Sequence, residues 1–195
     1  MALLAVLCQA IEARPYERGH GERVTALAER IALRLGWSAE RLATLRVGAR
    51  LHDVGKLAVS ERVLRKTTAL RDGEYAHIRE HPAAGARIIE PFECFDGAVP
   101  YVLYHHERWD GGGYPTGRGG AEIPIEARVL AVADAFDAMT SFRPYRRPLS
   151  IADALAEIDR CAGTQFDPEV VRVFLELWEA ASTELPTPRA STASA

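Results

Sequence analysis

The chain has 195 residues, a length typical of one domain able to bury a sizeable core. Its 24 Lys and Arg against 27 Asp and Glu leave a formal net charge of -3, which argues against a chain-wide basic footprint for DNA, RNA or an anionic membrane. Three cysteines, Cys8, Cys94 and Cys161, are odd in number and share no CxxC spacing, so neither a disulfide framework nor a thiolate zinc site is expected.

The opening MALLAVLCQAI is apolar, yet no basic residue precedes the run and it falls far short of the roughly 20 residues that span a bilayer. A cytoplasmic location with no membrane partner is expected. Val24, Leu27, Ala28, Ile31 and Leu35 recur at the spacing of one helix face, and Gly36 closes that helix. Leu42, Leu45, Ala49 and His52 continue the pattern, placing His52 on the inner face near a helix end, just before Gly55.

Further helices are expected over 74–80, 83–90, 97–106, 126–141, 150–161 and 168–180, the last opening on Asp167-Pro168. The Val- and Tyr-rich stretch 99–105 also fits a short strand by periodicity and is assigned to helix. The chain is thus predicted to be all-α, about seven or eight helices in one unit over 1–182. The small, polar segment 183–195 is expected to be a disordered tail.

Two motifs concentrate the chemistry: HDVGK at 52–56 and HHERWDGGGYP at 105–115. Gly111, Gly112 and Gly113 allow close backbone approach to a ligand. A lone His-Asp pair usually makes a helix-end hydrogen bond, but His52 and Asp53 are joined by His20, His81, His105, His106 and Asp134 in segments with similar signals. Residues 127–139 are mostly Ala, Val, Leu, Phe and Met, so that helix is buried nearly all round. Buried carboxylates there need partners, and Asp134 and Asp137, three apart, share one face. At least one should face a site.

The donor set is imidazole and carboxylate without thiolate, which suits iron or manganese better than structural zinc. Six or seven ligands exceed one ion's needs. Two divalent ions about 3.5 to 4 Å apart would use them all and fit hydrolytic in-line displacement at phosphorus. Metal coordination would bring the pKa of a bound water from 15.7 towards about 7, making hydroxide the nucleophile. Lys56 is within reach of a phosphate oxygen, although surface solvation is its ordinary role. Arg143, Arg146 and Arg147 would supply a local positive field. His77 is read as a surface or capping residue, Asp110 as a turn former, and Trp109 and Phe166 as anchors.

In combination, PYERGHGERV, HDVGK, HPAAG, HHERWDGGGYP, ADAFDAMTSFRPYR and GTQFDPEVV resemble the HD-GYP subgroup of the HD phosphohydrolase superfamily over residues 10 to 180. The resemblance implies an all-α bundle with a metal centre between helices, and hydrolysis of cyclic di-GMP to pGpG and often to GMP. It implies His20, His52, Asp53 and Asp134 around one ion and His81, His105 and His106 around another, with Asp53 bridging and acting in catalysis with Lys56. Lys56, Arg143 and Arg146 match phosphate-binding positions, and Gly113, Tyr114 and Pro115 form the loop beside the nucleotide, a possible docking point for a regulatory protein.

Trinuclear members carry a glutamate where this chain has Tyr16, with Glu17 adjacent, so two ions are expected. No receiver, sensory or membrane module precedes the motifs, as for a stand-alone enzyme or an excised piece. Two other readings compete: a phosphohydrolase of the same superfamily for another cyclic dinucleotide or a mononucleotide, and a non-catalytic module that senses the dinucleotide.

Overall fold

Capping residues and breakers mark out the helices of the computed structural model, which describes residues 2–13, 18–142 and 147–183. In chain order they are α1 (Ala2–Glu12), α2 (His20–Arg34), α3 (Ala39–Leu51), α4 (Glu61–Leu64), α5 (Asp72–Arg79), α6 (His81–Ile89), α7 (Val99–Tyr104), α8 (Ile125–Thr140), α9 (Ile151–Arg160) and α10 (Pro168–Thr183). Short 3-10 turns cover Val54–Ala58, Glu93–Ala98 and Gly120–Glu122. Among the described residues there is no strand, only an isolated bridge between Ala162 and Phe166. All eight expected helices are present. The additions are α1 and the one-turn α4, neither of which carries a strong periodic pattern. The expected tail lies outside the described residues except for Thr183, which ends α10.

Ser38 and Ser150 cap α3 and α9, their hydroxyls accepting the backbone N–H of Arg41 and Asp153. The Asp167 carboxylate accepts the N–H of Glu169 at 2.8 Å, with Pro168 in first helical position where its missing donor costs nothing. Pro82 sits in the first turn of α6 and separates it from α5. Gly36, at φ 74, provides the left-handed turn that releases the chain from α2.

The apolar faces bury into two clusters. The larger joins α2, α3, α8, α9 and α10 through Val24, Ile31, Leu45, Leu130, Phe136, Ile158 and Phe174. Phe136 and Phe174 meet with ring centroids 5.1 Å apart, and burying a side chain of this size stabilises the fold by about 1.5–3 kcal/mol. The smaller unites Ile11 of α1 with Leu51, Val54, Ile89, Phe95 and Val102. Leu51 and Val54 of the smaller cluster flank His52 and Asp53, while Ala133 and Phe136 of the larger lie one and two residues from Asp134. The polar cluster described next therefore lies on the seam between two apolar masses.

Two glycines permit the closest approaches between elements around that cluster. A Cβ on Gly48 would lie 2.2 Å from the Tyr101 ring, so α3 and α7 touch only because none is there. A Cβ on Gly55 would lie 1.8 Å from the His81 carbonyl oxygen and 2.5 Å from the Gly85 nitrogen. The HDVGK turn is thereby pressed onto the first turn of α6, bringing Asp53 to His81.

Candidate metal centre and cleft

His52, His81 and His105 each stand at a helix boundary, where the last carbonyls lack helical partners. Each Nδ1 lies within hydrogen-bond distance of the carbonyl three residues earlier: His52 to Ala49 at 2.7 Å, His81 to Ile78 at 2.8 Å, His105 to Val102 at 3.0 Å. A ring donating through Nδ1–H keeps its lone pair on Nε2. Those Nε2 atoms converge: His81 Nε2 lies 3.2 Å from His105 Nε2 and 3.4 Å from Asp53 Oδ1. His52 Nε2 is buried without a hydrogen-bond partner, 3.3 Å from Asp53 Oδ2.

His20, at the start of α2, is oriented differently. Its Nδ1 bonds Asp137 Oδ2 at 2.8 Å, leaving Nε2 3.3 Å from Asp134 Oδ1 and 3.8 Å from Asp53 Oδ2. Arg23 holds Asp137 through Nε at 2.6 Å and Nη2 at 3.1 Å, and the Ser141 hydroxyl donates to it at 3.1 Å. The shared face of Asp134 and Asp137 thus serves two purposes: Asp134 turns into the cluster and Asp137 orients a cluster histidine.

Three groups result whose donor atoms lie within 4.8 Å of one another: His20, His52 and Asp134; His81, His105 and His106; and His52, Asp53 and His105. Asp53 joins the first two, one oxygen towards His81 and the other towards His20 and His52. Bare imidazole lone pairs facing one another in a buried site repel and lack partners, which is an arrangement divalent cations satisfy. The donor set therefore fits metal.

The electrostatics divide the same way. Burial alone would push His20 down, yet the Asp134 and Asp137 carboxylates raise it to about 10. Burial and then the neighbouring His81 push His106 down to about 3, and burial with His106 and His52 drives His105 well below its usual value. Burial opposes ionisation of Asp53, but Lys56 and His52 hold its carboxyl well below the ordinary range. The carboxylates thus favour the protonated ring at His20 and His52, while burial favours the neutral ring at His81, His105 and His106.

Lys56 donates to Asp53 Oδ2 at 2.6 Å, so it stands at the cluster and not on the open surface. In the 105–120 loop, Tyr114 stacks on the His106 ring, centroids 4.8 Å apart. Gly113 has no room for a side chain, since a Cβ would lie 2.4 Å from the Arg108 nitrogen. Pro115 is exposed on the loop's outer side. The loop is fastened by Glu107, a buried carboxylate that accepts the Thr116 N–H and hydroxyl and the Gly117 N–H at 2.6, 2.7 and 3.1 Å. Arg143, Arg146, Tyr16 and Glu17 lie outside the described residues.

A cleft of about 360 Å³ opens beside the histidines, lined by His105, His106, Asp134, Tyr114, Tyr75, Arg79 and Gln165 among others. His77 faces outward and accepts the Ser60 N–H; Asp110 accepts the Gly112 N–H in a turn, and Phe166 is a core residue. The sequence offered no sign of Arg23, Glu107 or Arg79. Asp137 was visible only as one of two candidates on a helix face.

A family model described as an HD domain matches residues 5–170. The chain belongs to the HD domain family, in its HD-GYP branch. A cyclic di-GMP phosphodiesterase from Thermotoga maritima is 41% identical over 160 residues, covering 81% of this HD-GYP chain and 44% of that protein. A 3'3'-cGAMP-specific phosphodiesterase 3 from Vibrio cholerae is 37% identical over 175 residues, covering 88% of this chain and 38% of that protein. The chain thus spans less than half the length of these relatives. A solved cyclic GMP-AMP phosphodiesterase of V. cholerae shares the HD-GYP fold with a TM-score of 0.70 at 22% identity, over 91% of this chain and 48% of that one. Among the described residues, no helix is long and apolar enough to cross a membrane.

Because Asp137 fixes the His20 ring, Asp137→Asn should weaken metal binding about 10–100-fold while the chain stays folded. Titration against a metal buffer checks this; unchanged affinity would show that His20 needs no such support.

Proposed function

We propose that residues 1–182 form a metal-dependent phosphodiesterase that opens cyclic di-GMP to pGpG and/or GMP. The observation that carries this is the convergence of imidazole Nε2 atoms and carboxylates beside an open cleft. The names of similar proteins, cyclic di-GMP phosphodiesterases among them, supply the substrate class.

In this reading His20, His52, Asp53 and Asp134 hold one divalent ion and His81, His105 and His106 the other, with Asp53 shared. Iron or manganese suits these nitrogen and oxygen donors. Ions bound there supply Lewis acidity towards phosphoryl oxygens and an ionised water at neutral pH. Asp53 and Lys56 then act together: the ammonium offsets the buried carboxylate and offers a donor to charge gathering on the phosphoryl group. Tyr114 and Gly113 wall the cleft, Pro115 presents the loop to a regulatory protein, and Arg143 and Arg146 clamp phosphate. The site works in the cytoplasm, without DNA, RNA or membrane.

The relatives named for 3'3'-cGAMP give one specific second reading, a different cyclic dinucleotide as substrate. Incubation of anaerobically metal-loaded protein with cyclic di-GMP, 3'3'-cGAMP and cyclic di-AMP, followed by chromatography, should release pGpG or GMP fastest from the first. Intact cyclic di-GMP after long incubation refutes the proposal; faster release from another dinucleotide moves it to that substrate.

A further inference from the structure

Arg79, at the end of α5, lines the cleft, and among the described residues it has no carboxylate partner. Arg108 on the same wall differs: its guanidinium is taken by Asp110 through Nε at 3.0 Å and Nη2 at 2.6 Å. Arg79 is instead held by aromatic faces, 4.6 Å from the Tyr114 ring centroid and 5.8 Å from that of Tyr75. Rings orient a guanidinium without consuming its N–H donors, which stay available to an incoming acceptor. Tyr75 is 53% exposed, a large ring open beside that fork.

Position selects the acceptor. Tyr114 stacks on His106 and carries Arg79, so the guanidinium stands one aromatic layer away from the histidine cluster. The cleft runs from the histidines to this wall, so a nucleoside attached to a phosphodiester at the cluster would have Arg79 and Tyr75 within the same cleft. A planar fork beside an exposed ring matches a purine that stacks while presenting two acceptors on one edge. Guanine does so through O6 and N7; adenine places an amino donor where O6 would be.

We propose that Arg79, with Tyr75 as stacking platform, is a specificity-determining residue that selects guanine in the substrate. This rests on the phosphodiesterase reading for the occupant of the cleft, but its test does not depend on turnover. Calorimetric binding of cyclic di-GMP and cyclic di-AMP to the full chain should favour the first at least tenfold. Arg79→Ala should bring that ratio close to one, and Arg79→Lys should not restore it, because an ammonium cannot make the bidentate contact. Where turnover is present, KM for cyclic di-GMP should rise on the order of tenfold with kcat little changed.

The inference is overturned if wild type binds both dinucleotides alike or neither, or if the ratio survives in Arg79→Ala. It is also overturned if both ligands weaken equally and Arg79→Lys rescues both, the pattern of a phosphate contact. A preserved guanine preference without hydrolysis of any dinucleotide would refute the catalytic reading and leave Arg79's role standing.

Discussion

Asp53→Ala should abolish both metal content and turnover in a chain that remains folded. Its two oxygens face different histidine groups, so one substitution removes a ligand from each. Elemental analysis of anaerobically purified protein should read close to two ions per chain in the wild type and near zero in the variant. Hydrolysis should fall on the order of a thousandfold or more. The loss has a structural component, because the Lys56 ammonium, 17% exposed, is left without its carboxylate. Asp53→Asn separates the two effects by keeping the volume and removing the charge. A folded Asp53→Ala chain with wild-type metal content would show that the bridge is not needed.

Gly55→Ala should damage the protein without touching a donor atom. The methyl would sit 1.8 Å from a backbone carbonyl, which cannot rotate aside as a side chain does, so the 3-10 turn must lift from α6. Overpacking of this kind costs about 3 kcal/mol or more. For a chain this size the melting midpoint should drop roughly 6–12 °C. Asp53 and His81 would separate, so metal affinity should fall with it. Gly73→Ala, where nothing lies within 4 Å in the first turn of α5, is the matched control and should be neutral or slightly stabilising. Equal melting midpoints for the two variants would refute the close-contact argument.

The helices were legible because their apolar positions recur at 3.6 residues, and His52 fell on a buried face by the same rule. The histidines and aspartates stood out through motif spacing, and the structure gathers all seven into adjoining groups. What could not be read were contacts spanning long stretches of chain. His20 meets Asp137 across 117 positions and Arg23 meets it across 114, and nothing in a linear pattern pairs them. Glu107 lies within HHERWDGGGYP, but its role depends on where that glycine-rich loop folds back. Arg79 looked like any helical surface arginine until Tyr75 and Tyr114 were placed beside it.

Three of the cluster histidines take their ring orientation from helix-end carbonyls, not from neighbouring side chains. Main-chain carbonyls persist whatever residue occupies their position, so the aim of the imidazoles depends on where the helices end, and at Ala49 and Val102 core packing fixes those ends. The cleft wall that includes Tyr75, Arg79, Arg108 and Gln165 is held instead by contacts between side chains. The two halves of the site therefore rest on different supports, and exchanging α5 for that of a related domain should shift dinucleotide preference while leaving metal affinity unchanged.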